Sequence, residues 1–114
     1  MNPSTQDYIV VFENNSKSLS KDDKKKVKAF SDNYKSNFSK YNILLIGHTD
    51  WKGNPDKNIN LSFERVKAVK DELVSNGISD LKIFTTASGS YWPGNSEEKS
   101  GREFNRRVDM LFLE

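Results

Sequence analysis

No cysteine occurs among the 114 residues, and there is a single histidine. Without thiols, a disulfide scaffold, a Cys-ligated zinc site and a cysteine nucleophile are all excluded, and the redox compartment is left unmarked. The one imidazole, His48, has Asp50 two residues on, but two ligands fall short of a metal site, so neither a metal nor a cofactor is expected. A glycine-rich phosphate loop and a supported Ser-His-Asp arrangement are also missing, and the chain is not expected to be an enzyme. Long apolar runs are lacking too. The first, Tyr8 to Phe12, is flanked by Asp7 and Glu13 and is too short for a signal-peptide core or a membrane span, so no direct membrane insertion by this segment is expected. Nor is there a strong excess of one charge: 18 basic against 16 acidic residues leave a net charge of +2. The lysines are interleaved with acids, as in Lys21-Asp22-Asp23-Lys24-Lys25-Lys26, which reads as a solvated helix face and not as a nucleic-acid footprint.

What is present suits one soluble domain spanning residues 1–114, with 34% hydrophobic, 30% charged and 11% aromatic residues. A strand is expected over Asp7 to Asn14, where Tyr8-Ile9-Val10-Val11-Phe12 is β-branched and aromatic and stops at polar residues. Ser20 is placed to cap a helix with Asp23 in its first turn, and Val27, Phe30, Tyr34 and Phe38 recur at helical spacing. The run Ile43 to Gly47 is apolar on both faces, as a central strand would be. A second helix is expected from about Leu61 to Asn76, with Phe63, Val66, Val69 and Leu73 inward and Gly77 as its left-handed stop. Strands at Lys82 to Ala87 and Arg106 to Leu113 flank a long loop, Ser88 to Ser100, whose Tyr91-Trp92-Pro93 segment is either a protein-contact patch or a pin to the core. The order is β-α-β-α-β-loop-β. It predicts a two-layer α/β (α+β) sandwich, with two main helices on one face of a mixed sheet.

The chemistry concentrates after the central strand, in Gly47-His48-Thr49-Asp50-Trp51-Lys52-Gly53, followed by Asn58, Leu61, Ser62 and Arg65. Asp50 should sit just past the end of a buried strand. Arg65, 15 residues later, falls in the opening turn of the expected helix. There it would face the positive end of the helix dipole, so its presence would answer a ligand and not helix stability. An acid and a forked base at one β-turn-α unit could simply pair with each other on the surface. They could equally receive the ammonium and carboxylate of an amino-acid head group.

Gly47-His48-Thr49-Asp50-x-x-Gly53, then Asn58-x-x-Leu61-Ser62-x-x-Arg65, resembles the signature of the OmpA-like peptidoglycan-binding domain. Gly101-Arg102-x-x-Asn105-Arg106-Arg107-Val108 is similar to that family's closing motif, and Phe12-x-x-Asn15 to its opening strand and turn. Three ordered segments from Phe12 to Val108 are far more specific than one short pattern. The resemblance implies binding of meso-diaminopimelate in the peptidoglycan stem peptide, with Asp50 taking the ammonium and Arg65 the carboxylate. It assigns supporting polar contacts to Asn58, Asn15 and Arg106. Gly53 would supply the tight turn of the loop, with Thr49 and Trp51 shaping it. Trp51 stands where the family usually has a polar residue, Lys57 where it has an aromatic, and Val66 where it has alanine.

The function so implied is non-enzymatic: noncovalent anchoring of a periplasmic cell-envelope protein to the wall, its membrane or outer-membrane anchor lying elsewhere. Loss of either charge should abolish binding and leave the fold intact. The alternative keeps the fold but uses it as a protein-protein or homodimerisation module of an envelope secretion or motor complex.

Overall fold

The computed structural model describes residues 8–13, 15–48, 55–87 and 106–114. Its elements are β1 (Ile9–Val11), α1 (Lys21–Asn37), β2 (Asn42–Gly47), α2 (Pro55–Ser75), β3 (Ile83–Ala87), which follows a short 3-10 turn at Asp80–Lys82, and β4 (Arg107–Leu113). The four strands form one sheet in the order β1-β4-β2-β3. β2 runs parallel to β3 and antiparallel to β4, which is antiparallel to β1, so the sheet is mixed and β2 is central as expected.

α1 forms where local signals agree. The Ser20 side chain accepts from the Asp23 backbone N–H at 3.0 Å, and Asp23 returns the bond to the Ser20 N–H at 3.3 Å, a reciprocal cap that satisfies two otherwise orphaned donors. The predicted stripe faces inward: Val27, Phe30 and Tyr34 are buried, and Phe38 packs against them from the edge. Phe112 of β4 closes this end of the core, with ring centroids 4.3 Å from Phe38 and 5.0 Å from Phe30. Burial pushes the Tyr34 phenol above its ordinary pKa, and its hydroxyl donates to the Tyr41 carbonyl at 2.6 Å.

α2 differs from expectation at its start. It begins at Pro55 and not near Leu61, because proline's fixed φ suits the first helical position and Asp56 suits the first turn. The first two turns are polar, so apolar periodicity cannot register them. Arg65 is therefore in the middle of the helix, and its expected opposition to the helix dipole does not hold. The inward face is Ser62, Arg65, Val66, Val69 and Leu73, while Phe63 is half exposed, contrary to its expected inward placement. The C-terminal stop is as predicted: Gly77 has φ +97°, its N–H donates to the Val74 carbonyl at 2.9 Å, and the Ile78 N–H donates to Leu73 at 3.2 Å. Lys35 of α1 donates to the Asn76 carbonyl at 2.6 Å, joining the two helices at this end.

Both helices cover one sheet face, burying Val10, Phe12, Ile43, Leu45, Ile83, Val108 and Met110 between the layers. On the opposite face Leu44 and Ile46 stay half-buried, so the apolar continuity of β2 marks its central place without full burial of both sides. β1 is only three residues long, shorter than its apolar run. Where β2 ends, Gly47 lies flush on α2: a Cβ there would stand 2.7 Å from Val66 Cγ2 and 2.8 Å from the Ser62 carbonyl oxygen. Gly47→Ala should lower stability by about 1–3 kcal/mol in urea unfolding, because backbone on the far side cannot give way. A change below about 0.5 kcal/mol, the size of an ordinary surface substitution, would show that this contact is not tight.

Candidate functional site

The segment from Phe12 to Ser16 leaves β1 and turns back toward α1, and most of its carbonyls are taken by cations. Arg65 donates from Nε to the Ser16 carbonyl at 2.7 Å and from Nη2 to the Glu13 carbonyl at 3.1 Å. Its guanidinium carbon lies 5.3 Å from the centroid of the Phe12 ring. Arg106, just ahead of β4, donates from Nε to the Phe12 carbonyl at 3.2 Å, and the Phe12 N–H returns a bond to Arg106 O at 2.7 Å. The turn closes with Ser16 N–H to Glu13 O at 3.0 Å, and Asn15 takes the left-handed region at φ +60°, which asparagine tolerates better than most residues.

Arg65 is the unusual member. It is wholly buried, and Nη1 has no hydrogen-bond partner among the described residues. Burial, and then the neighbouring Arg106 guanidinium, draw its pKa down to about 10, which still leaves it charged at neutral pH. A buried cation with one unsatisfied nitrogen, beside a second cation, is an electrostatic deficit that an anion would relieve. Asn58, half-buried, lies on α2 seven residues before Arg65, two turns along the same side. On the solvent side, a cleft of about 530 Å³ is lined by Asn15, Lys17, Asp56, Lys57, Asn60, Leu61 and Glu64. Lys17 and Glu64 pair across it at 3.3 Å.

Of the residues singled out in the sequence, Arg65, Arg106 and Asn15 meet at this turn, with Asn58 along the helix. Thr49, Asp50, Trp51 and Gly53 lie outside the described residues, as does the Tyr91-Trp92 segment. The expectation that Arg65 is dispensable to the fold needs correcting, since it braces the β1–α1 connection through two hydrogen bonds. Its partners are 49 and 52 residues away in sequence, which no local pattern reveals. Lys17 and Glu64 were not foreseen either.

A second polar group was missed on the sheet's other face. Asp109 accepts from Arg107 Nε at 2.8 Å and pairs with His48 Nε2 at 3.0 Å. Burial alone would raise the Asp109 pKa, but the hydrogen bonds from His48 and Arg107 outweigh it and hold the carboxyl below its ordinary value. The Arg107-x-Asp109 alternation was the available signal, since it puts both on one strand face. Among the described residues no three His, Cys, Asp or Glu side chains converge as metal ligands, and no helix is long and apolar enough to cross a membrane.

A two-layer α+β module with a β-α-β-α-β-β order and a helix-borne arginine buried at the β1–α1 turn is the class that fold and site define. The sequence profile of the OmpA family matches residues 11–107, and the chain belongs to that family. Over 69 residues it is 38% identical to outer membrane protein A of Bordetella avium, a match covering 60% of this chain and 36% of that protein. Over 70 residues it is 37% identical to the peptidoglycan-binding protein ArfA of Mycobacterium tuberculosis, covering 60% of this chain and 22% of that one. The matched region is thus about a third or less of either relative's length. Among solved structures, the peptidoglycan-associated lipoprotein from Burkholderia pseudomallei superposes with a TM-score of 0.85 at 23% identity, covering 93% of this chain and 90% of that one. The C-terminal domain of Helicobacter pylori MotB also reaches 0.85, at 20% identity, with 93% and 84% covered. At such identities the likeness establishes the fold.

Two outcomes follow from this geometry. Arg65→Ala should destabilise the protein by about 1–3 kcal/mol in chemical denaturation, since it removes two hydrogen bonds and buried volume; an effect below about 0.5 kcal/mol would contradict the bracing role. Asp109 is depressed in the folded state, so its stabilising contribution is full above the ordinary value of 3.8 and is lost as pH falls through the lower native value. The stability gap between wild type and Asp109→Asn should therefore narrow steadily below about pH 4, and a gap that is flat with pH would show that the charge contributes nothing.

Proposed function

We propose that this chain is a single wall-binding domain that holds peptidoglycan noncovalently through the meso-diaminopimelate of its stem peptide. In this reading Arg65 receives the carboxylate of the ligand's free head group, Asp50 receives the ammonium, and Asn15, Asn58 and Arg106 supply polar contacts. The observation that carries it is the buried Arg65 guanidinium, with two nitrogens committed to the β1–α1 turn and Nη1, beside Arg106, without a partner among the described residues. Support also comes from the relatives, one named as peptidoglycan-binding and another as peptidoglycan-associated.

The chemistry accounts for selectivity. Within a stem peptide, where the near head group is taken up in peptide bonds, lysine lacks the far carboxylate and would leave the Arg65 deficit in place. One head group is a small ligand: about thirteen heavy atoms at roughly 0.3 kcal/mol each give about 4 kcal/mol, a dissociation constant near millimolar. Firm retention then comes from the many copies a polymeric wall presents, or from several domains held together, as in a homodimer. The role is anchoring without catalysis, in the periplasm, on behalf of a larger envelope protein.

Co-sedimentation with purified sacculi tests this. The domain should pellet with diaminopimelate-type sacculi, pellet weakly with lysine-type sacculi, and lose pelleting in Asp50→Ala, a residue outside the arginine-braced turn. Equal pelleting of wild type and Asp50→Ala would rule out the charged-head receptor. Failure of the folded wild type to pellet would move the reading to a protein-contact module, for which Leu81, 86% exposed, and Phe84, 50% exposed, at the rim of β3 are the first surface to examine.

A further inference from the structure

Two buried polar side chains and a partly buried one take no direct part in that receptor: Arg107 is 2% exposed, His48 6%, and the partly buried Asp109 lies between them. β4 pairs Asp109 with Ile46 and Val108 with Gly47, so His48 is the residue at which the chain leaves β2. Two contacts among the described residues help hold it there. Its backbone N–H donates to the Arg107 carbonyl at 2.8 Å, and its Nε2 meets Asp109 Oδ2 at 3.0 Å. An ionised Asp109 can only accept, so Nε2 carries the proton and donates. Asp109 is itself fixed by the Arg107 fork, with Nε to Oδ1 at 2.8 Å and Nη2 to Oδ2 at 3.4 Å. On the other side of the same strand end, Gly47 rests on Ser62 and Val66, the residues three before and one after Arg65. The exit of β2 is thereby clamped between β4 and the turn of α2 that carries Arg65.

We propose that the Arg107–Asp109–His48 relay is a positioning device for the diaminopimelate receptor, setting the point from which the chain runs to Asp50 relative to Arg65. The inference rests on the reading of Asp50 and Arg65 as the receptor. The ligand's ammonium and carboxylate share one carbon, so the two protein charges must keep a fixed separation, and a tolerance of roughly half an ångström is typical of such sites. Buried ion pairs are poor sources of stability, because desolvation offsets their attraction, but they are directional. Two carboxylate oxygens, a guanidinium fork and an imidazole N–H fix an orientation that apolar packing would leave free to slide.

The test is an NMR titration of the chain with free meso-diaminopimelate, in wild type, Asp109→Asn, His48→Leu and His48→Gln, with circular dichroism and melting followed in parallel. Glutamine keeps an N–H donor near the place of Nε2. Asp109→Asn and His48→Leu should weaken binding about tenfold or more while still fully folded at the titration temperature, and His48→Gln should stay within about threefold of wild type. Selectivity over Nα-acetyl-lysine amide should shrink in the two impaired variants. A lowered melting point with wild-type affinity in Asp109→Asn would make the relay a brace for the fold alone and overturn the proposal. Absence of binding by wild type would instead remove the receptor reading, and the relay's role with it.

Discussion

The site depends on one arginine buried where a cation is costly. Arg65 comes from the middle of α2, crosses beneath the turn that follows β1, and holds the Glu13 and Ser16 carbonyls. Those bonds recover part of its desolvation penalty, and the Phe12 ring beneath it recovers a little more. Nη1 recovers nothing from the described residues. With Arg106 fastened to the same turn, the fold concentrates positive charge at one point and, among the described residues, leaves one guanidinium nitrogen unspent.

From that constraint the rest of the architecture gains its meaning. α2 must lie close enough to β2 for Arg65 to reach across, and Gly47 allows the approach by presenting no Cβ to Ser62 and Val66. The aromatic end of the core, around Phe112, Phe30 and Phe38, is remote in role: it fastens α1 and β4 together so that the β1–α1 turn has a rigid frame. The two ends of the molecule divide the work, hydrophobic packing at one and fixed charge at the other. The receptor we propose, for a zwitterionic head group bound weakly by each copy and firmly on a polymer, would use such an arrangement.

Much of the fold was legible because its signals are local. Ser20 and Asp23 mark the start of α1, Gly77 marks the end of α2, and the uninterrupted apolar run at Ile43 to Ile46 marks the central strand. The start of α2 was misread because its first two turns, with Asp56, Lys57, Asn58 and Asn60, carry no apolar stripe; Pro55 and Asp56 were the available signals. That error moved Arg65 to a helix terminus and suggested a dipole argument that its true position removes. The brace of Arg65 and the pairing of His48 with Asp109 were not legible, because each joins residues about 50 to 60 positions apart. The pairing of Asp50 with Arg65 around one head group was read from their placement, whereas the ligand's identity and the role of Asn58 came from resemblance to a family, which supplies what spacing cannot.

The central claim is that the unspent nitrogen of Arg65 receives a carboxylate. Side-chain ¹⁵N NMR of the arginines during addition of meso-diaminopimelate, with Nα-acetyl-lysine amide as control, observes that group directly. The account predicts a saturable shift of the Arg65 guanidinium signals with diaminopimelate and none, at equal concentration, with lysine blocked at its α-amine and α-carboxylate. Backbone shifts on adding diaminopimelate with the Arg65 signals unmoved would contradict it.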